Sequence, residues 1–160
     1  MRTLALAFLC PLLTLTFHAS AATCSASTSG VAFGAYNPIQ AVPVDSAGSV
    51  LVNCTKGALD SLPLTVNYSV DLSRGNSSNY ASREMTSSAR KLYYNLYRDA
   101  LRIAVWGDSS GGTVNVPGML QLQAPLGTAS ATHAIYGRVF GSQNAVPGGY
   151  ADSIVVTISY

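Results

Sequence analysis

Between Leu62 and Leu72 the chain alternates strictly: Leu62, Leu64, Val66, Tyr68, Val70 and Leu72 share one parity, and Pro63, Thr65, Asn67, Ser69 and Asp71 the other. Successive side chains of an extended backbone point to opposite sides, so a period of two held this long specifies a strand with one face in a core and one in solvent. The same period marks residues 49–54, 91–97 and 154–160 and, over shorter or weaker runs, 31–33, 101–106, 118–123 and 134–139. Between these runs lie Asn37-Pro38, Ser46-Ala47-Gly48, Arg74-Gly75-Asn76, residues 108–112 and Pro147-Gly148-Gly149, all of types that tolerate or impose turn geometry. No stretch after the N-terminal leader keeps an i, i+3, i+4, i+7 apolar pattern long enough for a helix. The chain is therefore expected to be all-β, an antiparallel sandwich.

The leader is set aside before any fold reasoning. Arg2, the apolar run LALAFLCPLLTLTF and the small-residue triplet Ala19-Ser20-Ala21 predict a secretory signal peptide over residues 1–21, with residues 22–160 as one domain. The apolar run is too short to span a bilayer and contains Pro11, so the protein is not expected to be membrane-spanning. Nine Lys and Arg stand against seven Asp and Glu, Arg2 leaves with the leader, and the rest are scattered rather than gathered into stripes. That excludes nucleic acid as the expected partner.

Of three cysteines, Cys10 falls in the leader, which leaves Cys24 and Cys54. An even count in an exported chain predicts a disulfide between them, worth about 3 to 4 kcal/mol through restraint of the unfolded chain.

The inventory for an enzyme is thin. His18 leaves with the leader, and His133 is read as an edge or loop residue rather than a base. Asp108 in WGDSSGG is read as a turn residue, since no further carboxylates lie at ligand spacing, and Glu84 in SREMTS as part of a capped turn. Trp106 is expected to plug the core, and Tyr93, Tyr94 and Tyr97 to pack across strands rather than form a carbohydrate platform. No catalytic, cofactor-binding or metal-ligating residue is assigned, and no cofactor is expected.

Several short motifs occur together in order: Cys24, Phe33-Gly34-x-Tyr36, a strand closing on Cys54, Arg83-x-Met85, LYYNLYRD over residues 92–99, Trp106-Gly107-Asp108, Tyr136-Gly137-Arg138 and Gly149-Tyr150-x-Asp152. In these the sequence resembles the spore coat protein U domain family, which includes archaic chaperone-usher pilus subunits. Phe140 departs from the pattern, which has Pro there. The resemblance implies an immunoglobulin-like sandwich that is incomplete, its final strand supplied by another chain. It implies as partners a periplasmic pilus chaperone, an outer-membrane usher and neighbouring pilus subunits, with export through the periplasm to the cell surface and a role in adhesion and biofilm formation. Under it Val31 and Phe33 on the first strand and Ile154, Val156 and Ile158 on the last would line the donor-strand groove. About five large apolar donor side chains, at about 1.5 to 3 kcal/mol each, would make such a joint durable.

Cleavage after Ala21 would leave only Ala22 and Thr23 ahead of Cys24, too little for a donor arm, so a terminal or minor subunit is expected rather than the shaft pilin. Two other readings share the fold: a spore or cyst coat protein, and a self-complete secreted β-sandwich acting as a binding module.

Overall fold

Alternating sequence becomes alternating burial along β3, the strand whose pattern is longest, in the structure, a computed structural model that describes residues 22–57, 63–123 and 126–160. The expected signal peptide lies outside the described residues, among which there are eight strands and no helix. They are β1 (Thr23–Ser29), β2 (Val44–Thr55), β3 (Leu64–Leu72), β4 (Arg83–Ser87), β5 (Arg90–Tyr97), β6 (Val116–Leu122), β7 (Thr128–Val139) and β8 (Val156–Ser159). All pair antiparallel, in a five-stranded sheet of order β1-β2-β7-β5-β4 and a three-stranded sheet of order β6-β3-β8.

One apolar core joins the two sheets. β2 contributes Val50, Val52 and Cys54, and β3 contributes Val66, Tyr68, Val70 and Leu72, in each case the residues of one parity. Met85 of β4, Leu92, Tyr94 and Leu96 of β5, Leu120 and Leu122 of β6, Ile135 and Val139 of β7, and Ala22 also belong to it. Trp106 is fully buried, and its indole N–H donates to the Val70 carbonyl at 2.8 Å, so the ring's one polar atom is satisfied inside the core.

Arg83 is also fully buried. Its Nε donates to the Ser73 carbonyl at 3.0 Å, Nη1 to Asn95 Oδ1 at 2.7 Å and Nη2 to the Trp106 carbonyl at 2.6 Å. The guanidinium stacks over the Tyr80 ring, whose backbone carbonyl accepts from Asn95 Nδ2 at 2.9 Å. Burial pushes the Arg83 pKa down, and the surrounding carbonyls are what let the charge sit there.

Outside the segment 31–33, the strands differ from expectation at four places. β1 was not anticipated: Thr23–Ser29 has no apolar alternation and is exposed except at Cys24. Its ladder to β2 and the disulfide to Cys54, directly opposite in register, hold it instead. Ser46-Ala47-Gly48 is not a turn but the interior of β2. A Cβ on Gly48 would lie 2.6 Å from the Ser29 carbonyl oxygen, so a glycine serves close passage of the chain there rather than a reversal. Of residues 101–106 only Val105 and Trp106 are extended, in isolated bridges to Tyr97 and Val114; residues 101–104 form a loop, because the Asp99 carboxylate accepts from the Ile103 and Ala104 N–H groups and Arg102 takes a positive φ of 58°. Glu84 sits on β4, not in a capped turn, and pairs with Lys91 of β5 at 2.7 Å.

Candidate functional site

Among the described residues the last strand has a partner on one side only. β8 pairs with β3, Val70 facing Ile158 and Leu72 facing Val156, and forms the edge of its sheet. Val70 and Leu72 are 0% and 1% exposed, whereas Ile154, Val156 and Ile158 are only half-buried. These three side chains of one parity form an apolar stripe along a sheet edge that the chain covers only in part.

Across from this edge run residues 30–36, which continue β1 without being strand. The expected strand over residues 31–33 is absent, and among the described residues no backbone–backbone hydrogen bond reaches 30–36. The segment is seated by side chains: Val31 and Phe33 lie against Gly137 of β7, where a Cβ would come within 2.7 Å of both. One side-chain hydrogen bond fixes its backbone, from Ser46 Oγ to the Ala32 carbonyl at 2.6 Å.

Between these two edges lies a cleft of about 320 Å³. Val31 and Phe33 border it on one side and Ile154 and Val156 on the other, with Leu72, Met85, Tyr94, Leu96 and Ile135 beneath. It continues into a second compartment of about 540 Å³, bordered by residues 31–36, Pro38 and residues 145–148. Val31, Phe33, Met85 and Tyr150 border both.

The far wall is well fastened. Ala151 exchanges hydrogen bonds with Thr86 at 2.8 and 3.1 Å, and Ser73 donates to the Val155 carbonyl and accepts from its N–H, both at 2.9 Å. Asp152 Oδ1 accepts from the Asn76 and Ser153 N–H groups, and Oδ2 from the Tyr94 hydroxyl at 2.7 Å. Burial first, and then this bond, push the Tyr94 phenol far above its ordinary value, so it remains a neutral donor. The Tyr94 ring meets Phe33 edge to face at 5.7 Å, which links the floor to the near wall.

Of the residues singled out from the sequence, Val31, Phe33, Ile154 and Val156 come together here. Ile158 lies further along β8, opposite Val70, and does not border the cleft. Cys24 and Cys54 are bonded to each other, on β1 and β2. The floor residues Met85, Tyr94 and Leu96 and the wall residues Tyr36, Tyr150 and Asp152 had not been assigned to a groove. Several belong to the ordered motifs, which was the available signal.

The remaining polar candidates are accounted for locally. His133 lies on β7 rather than at an edge or in a loop, half-buried, its Nε2 sharing a 2.8 Å hydrogen bond with the Tyr68 hydroxyl, and burial lowers its pKa. Asp108 accepts from the Ser110 N–H at 3.0 Å and from its hydroxyl within its own turn. Among the described residues no three His, Cys, Asp or Glu side chains gather as a metal site requires, and no helix is long and apolar enough to cross a membrane.

Residues 11–157 match the family model described as Spore Coat Protein U domain. The chain is 32% identical over 135 residues to Protein U of Myxococcus xanthus, covering 80% of this chain and 70% of that protein. Its fold is similar to that of a chain in the crystal structure of the CsuC-CsuE chaperone-tip adhesion subunit pre-assembly complex, from the archaic chaperone-usher Csu pili of Acinetobacter baumannii. The TM-score is 0.56 at 19% identity, covering 87% of this chain and 40% of that one, so the chain spans about two fifths of that structure's length.

Proposed function

Because the chain belongs to the Spore Coat Protein U domain family, we propose that it is an exported structural subunit of a chaperone-usher pilus, built into a fibre by accepting a β-strand from another polypeptide. The observation that carries this reading is the largely apolar cleft between residues 30–36 and β8, edged by the outer side of β8 and by backbone 30–36, neither of which pairs with a strand among the described residues. An occupant lying in it would cover half-buried Ile154 and Val156 and pair with the free edge of β8, which removes two liabilities of the unfilled chain at once. The fold of a subunit from a chaperone complex lends the reading further support.

On this reading a periplasmic chaperone lends the first strand, an outer-membrane usher and neighbouring subunits complete the exchange, and the mature protein resides at the cell surface with a part in adhesion and biofilm formation. The work asked of the protein is mechanical, not catalytic. Labelling assembled fibres by immuno-electron microscopy distinguishes a terminal or minor place from the shaft. The first test is simpler: the purified chain is mixed with alternating apolar and polar peptides. Saturable binding with a rise in melting temperature, blocked by Val156→Asp, is expected, and a chain indifferent to every such peptide would falsify the reading.

A second reading, a coat protein that uses the same pairing to build a layer, is favoured by the family's description and by the likeness to Protein U. Reconstitution separates the two, since fibres need a chaperone and usher while sheets form from the subunit alone.

A further inference from the structure

The two compartments of the cleft differ in size, in chemistry and in what surrounds them. The smaller carries one carboxylate, Asp152, whose oxygens are taken by Asn76, Ser153 and Tyr94. The larger has no charged residue on its walls. Its two tyrosine hydroxyls are engaged on the chain's own backbone: Tyr36 accepts from the Gln143 N–H at 2.9 Å, and Tyr150 donates to the Val146 carbonyl at 3.0 Å. Side chains there offer an incoming group ring faces and aliphatic surface, and their hydrogen-bonding capacity is turned elsewhere. Three of the bordering residues are aromatic, Phe33, Tyr36 and Tyr150, and two are prolines, Pro38 and Pro147. Flat, rigid walls of this kind match another ring better than a branched aliphatic group, because edge and face contacts add to the area covered.

We propose that the larger compartment is the specificity pocket of the cleft, and that it takes one aromatic side chain of the incoming strand. This rests on the strand-accepting reading given above. An occupant paired along β8 presents inward residues of one parity, and those above Val156 and Ile154 fill the smaller compartment. Continuing past the Phe33 and Tyr150 divide, its next inward residue reaches the larger one. That residue then acts as the anchor that sets register, since a slip by two residues would leave the aromatic without its pocket. Ala145, half-buried on the wall, is the small side chain that keeps the space open.

The test is a scan. A peptide of alternating Val and Thr is prepared with each inward Val replaced in turn by Trp or by Ala, and dissociation constants are measured against the purified full chain. One position, at the end next to Pro38 and Pro147, is expected to favour Trp over Ala by at least about tenfold. In Ala145→Trp, which fills the compartment from its own wall, that preference is expected to vanish while the all-Val peptide still binds. Ala145→Leu provides a milder filling if the Trp variant does not fold, and should reduce the preference in part. Equal binding of Trp and Ala at every position, or a preference that survives both fillings, overturns the inference and leaves strand capture standing. Failure of every peptide to bind removes the strand-accepting reading, and this inference with it.

Discussion

Replacing Cys24 and Cys54 together with Ala should cost far more than the size of the side chains implies. The bridge spans a sequence separation of 30, for which chain-entropy restraint amounts to about 3.6 kcal/mol at room temperature. For a domain of this size that lowers the melting temperature by on the order of 10 °C. The loss should also be local. β1 puts little side-chain surface into the core, so without the bridge only its backbone ladder to β2 retains it, and residues 30–36 follow directly from it. Differential scanning calorimetry reads the global term and hydrogen exchange the local one. Amides of β1 are expected to lose protection well below the global transition, while those of β3 and β5 do not, and peptide capture by the cleft should fall in parallel. A melting temperature within about 2 °C of wild type, with β1 amides as protected as before, would refute the argument that the covalent link rather than packing retains that strand.

Arg83→Met should destabilise the domain by about 3 kcal/mol in urea titration, since it leaves the Ser73 and Trp106 carbonyls without their donor and Asn95 Oδ1 with the Leu96 N–H alone; a cost below about 1 kcal/mol would mean water replaces the guanidinium there. Val156→Asp puts a charge on the cleft wall at a half-buried edge, so folding should suffer by only about 1 kcal/mol while peptide affinity drops by roughly a hundredfold or more. Its urea midpoint and its dissociation constant together check this. Burial lowers the pKa of His133, so just below the ordinary imidazole value of 6.5 the unfolded chain binds more protons than the folded one. Stability should therefore be level above that value and decline as the pH falls from it toward the folded pKa; His133→Gln should flatten that part of the profile, and an unchanged slope in the variant would assign the titration elsewhere.

How much was legible depended on whether burial or circumstance made each element. β3 could be read to within two residues because its inner parity is apolar and its outer parity polar along its length, and β5 and β8 came close for the same reason. β1 was invisible, since a strand of Thr, Ser and Ala with one Cys announces nothing when a partner ladder and a bridge make it. Residues 31–33 show the reverse case: Val31 and Phe33 have strand parity, and their side chains face the cleft, but a strand needs a neighbouring backbone and none of the described residues supplies it. Four of the five residues chosen for the groove meet there, while the floor comes from elements whose alternation is read as core, as for Tyr94 and Leu96, or, for Met85, from a segment read as a turn. Met85 and Tyr94 belong to the core cluster as well as to the cleft, so their parity alone does not distinguish a groove from an interior.

The unequal fastening of the cleft's flanks carries a consequence for how such a protein diversifies. The side running through Ala151, Asp152 and Val155 is bolted by its backbone or carboxylate to three separate parts of the chain, whereas the side around Ala32 has one hydrogen bond to its backbone, from Ser46, and is otherwise seated by the side chains of Val31, Phe33 and Tyr36. Substitutions on the lax flank can reshape the opening at little risk to the fold, while the stiff flank keeps a constant template. A lineage built on this plan could change what its cleft accepts by altering a few positions before Asn37 and leave the rest of its architecture untouched.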